Sequence, residues 1–121
     1  LHSGHLDMLD YAASLGDHLL VAIDTDTRIE YTKGKGRPFN KLSIRKRLMM
    51  SLKPVSSVAV FNTDQELIDL IRRFEPDIMV KGSDWKGKPI IGEEYCKKVI
   101  FYERTNGEST TKTIQDFIDR R

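Results

Sequence analysis

The sequence has 121 residues, 39% of them hydrophobic, which suits one compact domain over 1–121 and excludes a disordered tail or a disulfide-stapled miniature. Cys96 is the only cysteine, no apolar run approaches the ~18 residues of a membrane span, and no signal-peptide pattern is present. A soluble, cytoplasmic protein without an internal disulfide or a membrane partner is therefore expected. The net charge of +2 conceals an asymmetry. Lys33, Lys35, Arg37, Lys41, Arg45, Lys46, Arg47 and Lys53 fall in one stretch with no acidic residue between them, on a chain that is otherwise acidic. Such a segment suits a small polyanion or a nucleic acid, and a solvated basic helix face is the plain alternative.

In chain order, Leu6, Leu9, Ala12, Ala13 and Leu15 recur at helical spacing and stop at Gly16, a residue suited to the left-handed end of a helix. "HLLVAID" has the length and composition of a buried strand, and "DTDTRIEYTKGKGRPFNK" reads as a long polar loop. Ser43 to Leu52 predicts a helix cut off by Pro54, and "VSSVAVF" a strand. Thr63 with Glu66 forms a capping-box pattern ahead of a helix through Leu67, Ile68, Leu70, Ile71 and Phe74, which ends before Pro76. "DIMVK" and "KVIFY" read as strands separated by a loop and a short helical piece. Ser109 or Thr110 would cap a last helix through Ile114, Phe117 and Ile118.

Strands alternating with helices predict right-handed crossovers and an α/β fold built on a doubly wound parallel sheet. Such a sheet normally opens on a central strand, yet this sequence opens on helix residues. Either a leading strand is missing from it or another element fills that slot; the first is expected.

Ligands of open parallel sheets sit beyond the carboxyl ends of the strands, where helix N-termini present free N–H groups. "HSGH" stands at such an N-terminus. His2 and His5, at i and i+3, share a face, and Gly4 leaves room for a close ligand. Each imidazole can donate an N–H to oxygens whose charge grows during phosphoryl transfer. The alternatives are a metal pair, for which no third ligand lies nearby, and ordinary surface or capping residues. At the far end, "ERTNGESTTKT" places Arg104, Gly107 and three consecutive hydroxyls at a predicted strand-to-helix turn, a grip suited to a triphosphate, although any good N-cap looks similar. After "DIMV", the loop "VKGSDWKGK" offers Asp84 and Trp85 with Lys81, Lys86 and Lys88 to a polar substrate, a stacked ring or an ion; a plain surface turn is the alternative.

Together these motifs resemble the small cytidylyltransferase-like nucleotidyltransferases, marked by His-x-Gly-His at the first helix and a Ser-Thr-Thr-type motif at the last. Here they read "HSGH" at 2–5 and "RTNGESTT" at 104–111, so the resemblance spans essentially the whole chain. It is nearest to the glycerol-3-phosphate cytidylyltransferase branch, which shares the Arg-Thr-x-Gly-x-Ser-Thr-Thr pattern and a Gly-x-Asp-Trp loop, "GSDW" at 82–85. The resemblance implies a Rossmann-like HxGH-type fold and transfer of a cytidylyl group from CTP to a polyol phosphate such as glycerol 3-phosphate, with release of pyrophosphate. It implies catalytic roles for His2, His5, Lys33 and Arg104, nucleotide binding by Gly4, Lys35, Arg45, Thr105, Ser109, Thr110 and Thr111, and substrate contacts from Asp84 and Trp85. It also implies Mg²⁺ with the triphosphate, no metal-ligating residue in the chain, no nucleic-acid partner, and a homodimer.

Three departures qualify it. The family's first strand and its Gly-x-Phe-Asp segment do not appear ahead of His2. "KPVSSV" stands where those enzymes carry an Arg-x-Val-Asp-like stretch, with Lys53 and Ser56 in the charged positions. "KGKGRPFN", followed by Arg45, resembles the adenylyltransferase branch that activates a heptose 1-phosphate. Adenylyl transfer from ATP to a sugar phosphate is accordingly the second reading, and a non-catalytic nucleotide-binding module the third.

Overall fold

The computed structural model describes residues 3–34, 36, 41–103 and 116–120, and for 3–5 and 116–120 the backbone alone. Helix α1 (Ser3–Ser14) buries Met8, Leu9 and Ala12, while Leu6 stays exposed at the rim of that stripe. Its end is closed by Leu15 N and Gly16 N donating to the Ala12 and Ala13 carbonyls. Strand β1 (His18–Asp24) follows, buried from Leu19 onward.

Residues 25–33 depart from the expected loop, because Asp26–Lys33 form helix α2. Its surface is polar nearly all round, so hydrophobic spacing gives no sign of it. What holds it is local and tertiary: Thr25 Oγ1 accepts from Arg28 N at 3.1 Å as an N-cap, Ile29 is buried, and Arg28 is anchored across the neighbouring strand. Helix α3 (Leu42–Met50), strand β2 (Ser57–Phe61) and helix α4 (Asp64–Phe74) lie within a residue or two of their expected places. In α4 the Thr63 hydroxyl accepts from Glu66 N at 3.1 Å, and the Glu66 carboxylate accepts from Asn62 N at 2.6 Å. The expected box therefore forms with its return bond shifted one residue upstream. Strands β3 (Ile78–Gly82) and β4 (Lys98–Tyr102) are joined by a loop carrying 3₁₀ turns at Ser83–Trp85 and Glu93–Tyr95.

The sheet runs in the order β2-β1-β5-β3-β4, where β5 is Asp116–Arg120. β1 pairs parallel with β2, setting Asp24 opposite Phe61; β3 pairs parallel with β4, setting Gly82 opposite Tyr102. Residues 116–120 were expected in a last helix and instead lie antiparallel between β1 and β3. The reason is backbone satisfaction. The inner edges of two buried strands would otherwise present rows of unmet N–H and C=O groups, and one extended segment serves both. β5 lies at the inner position between β1 and β3 where a leading strand is expected.

Core residues divide by face. Met8, Leu9 and Ala12 of α1 and Met49 of α3 pack with Leu19, Val21, Ile23, Ile78 and Val80. Leu67 and Ile71 of α4 pack with Leu20, Ala22, Phe61, Met79 and Ile90 on the other side. This is the alternation of strands covered on both faces, and it confirms the doubly wound α/β class. Among the described residues no helix is long and apolar enough to cross a membrane.

Candidate active site at the carboxyl edge of the sheet

Because β1 to β4 all run the same way, they end along one edge, at Asp24, Phe61, Gly82 and Tyr102. The buried charged residues among those described are Asp24 at 2%, Arg45 at 2% and Lys81 at 3% relative exposure. Asp24 closes β1 and Lys81 is the last residue but one of β3. Arg45 reaches the same edge from α3. Burying charge is costly unless it is paired, so this concentration at one end of an otherwise apolar sheet singles out the edge.

Arg45 straddles two elements. Its Nη1 donates to the Asp24 carbonyl at 2.7 Å, and its Nη2 donates to Asp26 Oδ1 at 2.7 Å. The guanidinium fork therefore pins α3 to the end of β1 and to the first turn of α2. Arg28 makes a second bridge. Its Nη2 donates to Asp64 Oδ1 at 2.7 Å, its Nη1 donates to the Asn62 carbonyl at 3.2 Å, its Nε lies 3.6 Å from Asp24 Oδ2, and Cζ sits 5.1 Å from the Phe61 ring centroid. Thr25 Oγ1 donates to Asn62 Oδ1 at 2.5 Å. The starts of α2 and α4 are thereby fastened side by side at the edge.

The third buried charge faces an aromatic. Lys81 Nζ lies 4.4 Å from the Trp85 ring centroid, and Trp85 packs against the Leu20–Phe61–Ile71 cluster. Asp84 is exposed in the same 3₁₀ turn, which is closed by Lys86 N donating to the Ser83 carbonyl at 3.1 Å.

α1 reaches the edge from the other face of the sheet. It runs back into β1 through the turn at 15–17, and Tyr11 meets Tyr102 at the carboxyl end of β4, ring centroids 5.4 Å apart. The residues ahead of Tyr11 extend further the same way. His5 lies six residues, about 9 Å of helix, beyond that contact, and Gly4 and His5 occupy the first turn of α1.

Among the residues singled out by sequence, Lys33 is exposed at the last position of α2, followed by Gly34 with φ of 99°. Arg45 is buried in the edge network, and Asp84 and Trp85 share the β3 turn. The side chain of His5, and all of His2, Lys35, Arg104, Thr105, Ser109, Thr110 and Thr111, lie outside the described residues. The flanks of the 104–115 stretch are described: Tyr102 ends β4 at the edge, and Asp116 pairs with Ala22 near the end of β1. Sequence reasoning missed Asp24, Asp26, Arg28, Asn62 and Asp64. The signal available was a strand ending in aspartate followed at once by a Thr-Asp cap.

The sequence matches a family described as cytidylyltransferase-like over residues 1–116. It is similar to the "Bifunctional protein HldE" of Sulfurimonas denitrificans and to that of Helicobacter hepaticus, each 40% identical over 115 residues, 95% of this chain and 24% of the relative. The protein of the same name from Campylobacter concisus is 36% identical over 121 residues, 100% of this chain and 25% of the relative. The chain spans about a quarter of the length of the curated relatives it matches.

Proposed function

We propose that this chain, which belongs to the cytidylyltransferase-like family of nucleotidyltransferases, transfers an adenylyl group from ATP to a sugar phosphate of the heptose 1-phosphate kind and releases pyrophosphate. The observation that carries this reading over CTP and glycerol 3-phosphate is the 40% identity, across 95% of the chain, to proteins named HldE. The "KGKGRPFN" loop points the same way. The "RTNGESTT" and "GSDW" stretches remain the argument for the cytidylyl alternative.

In this reading the acceptor's phosphate oxygen attacks the α-phosphorus of ATP. The new P–O bond forms as the bond to the β-phosphate oxygen breaks, and its electron pair leaves with pyrophosphate. The nucleophile is already an anion, so no general base is needed and rate comes from positioning and charge neutralisation. His2 and His5 donate to the α-phosphate oxygens from the start of α1. Gly4 lets the triphosphate approach the backbone there, and Lys33, Lys35 and Arg104 neutralise the developing charge. Thr105 and Ser109 to Thr111 hold the nucleotide and its outer phosphates. Asp84 and Trp85 meet the acceptor. Arg45, committed to the Asp24 carbonyl and Asp26, acts by fixing the floor beneath the phosphates. Among the described residues no three His, Cys, Asp or Glu side chains come together to hold an ion. In this reading Mg²⁺ would enter on the triphosphate as part of the substrate.

The test is a matrix of the four nucleoside triphosphates against heptose 1-phosphate, glycerol 3-phosphate and ribitol 5-phosphate, with pyrophosphate as readout. ATP with heptose 1-phosphate should turn over fastest. Turnover only with CTP and a polyol phosphate would restore the cytidylyl reading, and nucleotide binding without pyrophosphate release under any pairing would favour a non-catalytic module.

A further inference from the structure

We propose that Lys81 is a positioning residue that clamps Trp85 and thereby sets the acceptor side of the site; the acceptor half of this statement rests on the function proposed above. Lys81 follows Ile78, Met79 and Val80 on β3, and all of them are buried. Its ammonium lies 4.4 Å from the Trp85 ring centroid. The attraction of a cation to an indole face is strongest when water is excluded, and Lys81 is 3% exposed.

The geometry makes that attraction a constraint on a turn. Lys81 sits on rigid β3, four residues before Trp85, and the intervening Gly82–Asp84 segment is the turn that carries the exposed Asp84. One side of the Trp85 region is held by the Leu20–Phe61–Ile71 cluster. With the ammonium fixing the ring as well, the turn has little freedom at the carboxyl edge, and Asp84 is presented in one place. A residue acting this way should govern how well the acceptor is bound, and should leave ATP affinity and the chemical step nearly untouched.

The experiment uses the full-length protein, three single variants and one double variant. Trp85→Leu removes the ring while keeping an apolar group in the core, and the emission it abolishes is that of Trp85. Lys81→Met should increase iodide quenching of that emission and raise the KM for heptose 1-phosphate by about tenfold, with the KM for ATP and kcat within about twofold of the parent. Lys81→Arg should restore both properties, since a guanidinium also stacks on indole. Trp85→Leu should show the same split in KM, and adding Lys81→Met to it should produce little further change.

Equal losses for both substrates, a fall in kcat alone, an unchanged acceptor KM, or failure of arginine to rescue would each overturn the proposal. Where Lys81→Met does not fold, Lys81→Gln, which also removes the charge, takes its place with the same expected quenching and KM changes. The quenching measurement needs no substrate. Altered quenching in a protein that transfers to no acceptor would therefore indict the functional reading and leave the clamp standing, whereas unaltered quenching would sink the clamp whatever the activity.

Discussion

Arg45 shows how one side chain can be read two ways. In the sequence it is one of eight cations in a basic stretch, and by resemblance it belongs beside the phosphates. In the structure its fork is spent on the Asp24 carbonyl and on Asp26, and it is among the most deeply buried large side chains described. Arg45→Met should then cost about 3 kcal/mol, the low end for breaking a buried pair because Asp26 is partly exposed. Arg45→Lys, which cannot span both acceptors, should cost about half as much. Urea unfolding checks both, and a variant of unchanged stability with lost turnover would mean that Arg45 serves the phosphates directly. His5 should behave in the opposite way. If it donates to the α-phosphate only as charge develops, His5→Ala should lose roughly a hundredfold in kcat, about 3 kcal/mol of transition-state stabilisation, with an unaltered urea midpoint; near-parent turnover would remove it from the mechanism.

At the scale of elements, legibility followed the source of each element's stability. β1 to β4 and α4 declare themselves because burial and capping write themselves into local spacing: apolar runs of strand length, and Thr63 three residues before Glu66. α2 does not, because its anchors, Arg28 to Asp64 and Arg45 to Asp26, come from positions distant in sequence. β5 fails for a stronger reason, since its partners on both sides are strands nearly a hundred and about forty residues away, and "DFID" alone fits a helix equally well. Two substitutions test the elements that were read correctly. Thr63→Ala should destabilise by about 1 kcal/mol through loss of the α4 cap. Gly92 has a φ of 83° and sits where a Cβ would collide with Ile71 Cδ1 of α4. Gly92→Ala should cost about 2 kcal/mol through overpacking and a strained backbone. Thermal or urea unfolding measures both, and a neutral Gly92→Ala would mean that the loop after Trp85 is not seated on α4.

For the whole molecule, the doubly wound plan brings segments from opposite ends of the sequence to one edge of the sheet. The common direction of β1 to β4 sends the first turn of α1, the starts of α2 and α4, the Trp85 turn and both flanks of residues 104–115 to the same edge. Fold class was therefore readable from the order of strands and helices, and so was the edge at which the site is proposed. The charge network that stiffens the edge was not, because each of its pairs joins residues separated in sequence. Hydrogen exchange with a non-hydrolysable ATP analogue and Mg²⁺ tests this arrangement most directly. Slowed exchange should appear together in residues 3–6, 33–36 and 104–111, with the amino edge at Asp17, Ser56, Asp77 and Lys97 unchanged. Protection confined to the amino edge, or to the outer surface of α3 around Lys46 and Met50, would contradict it.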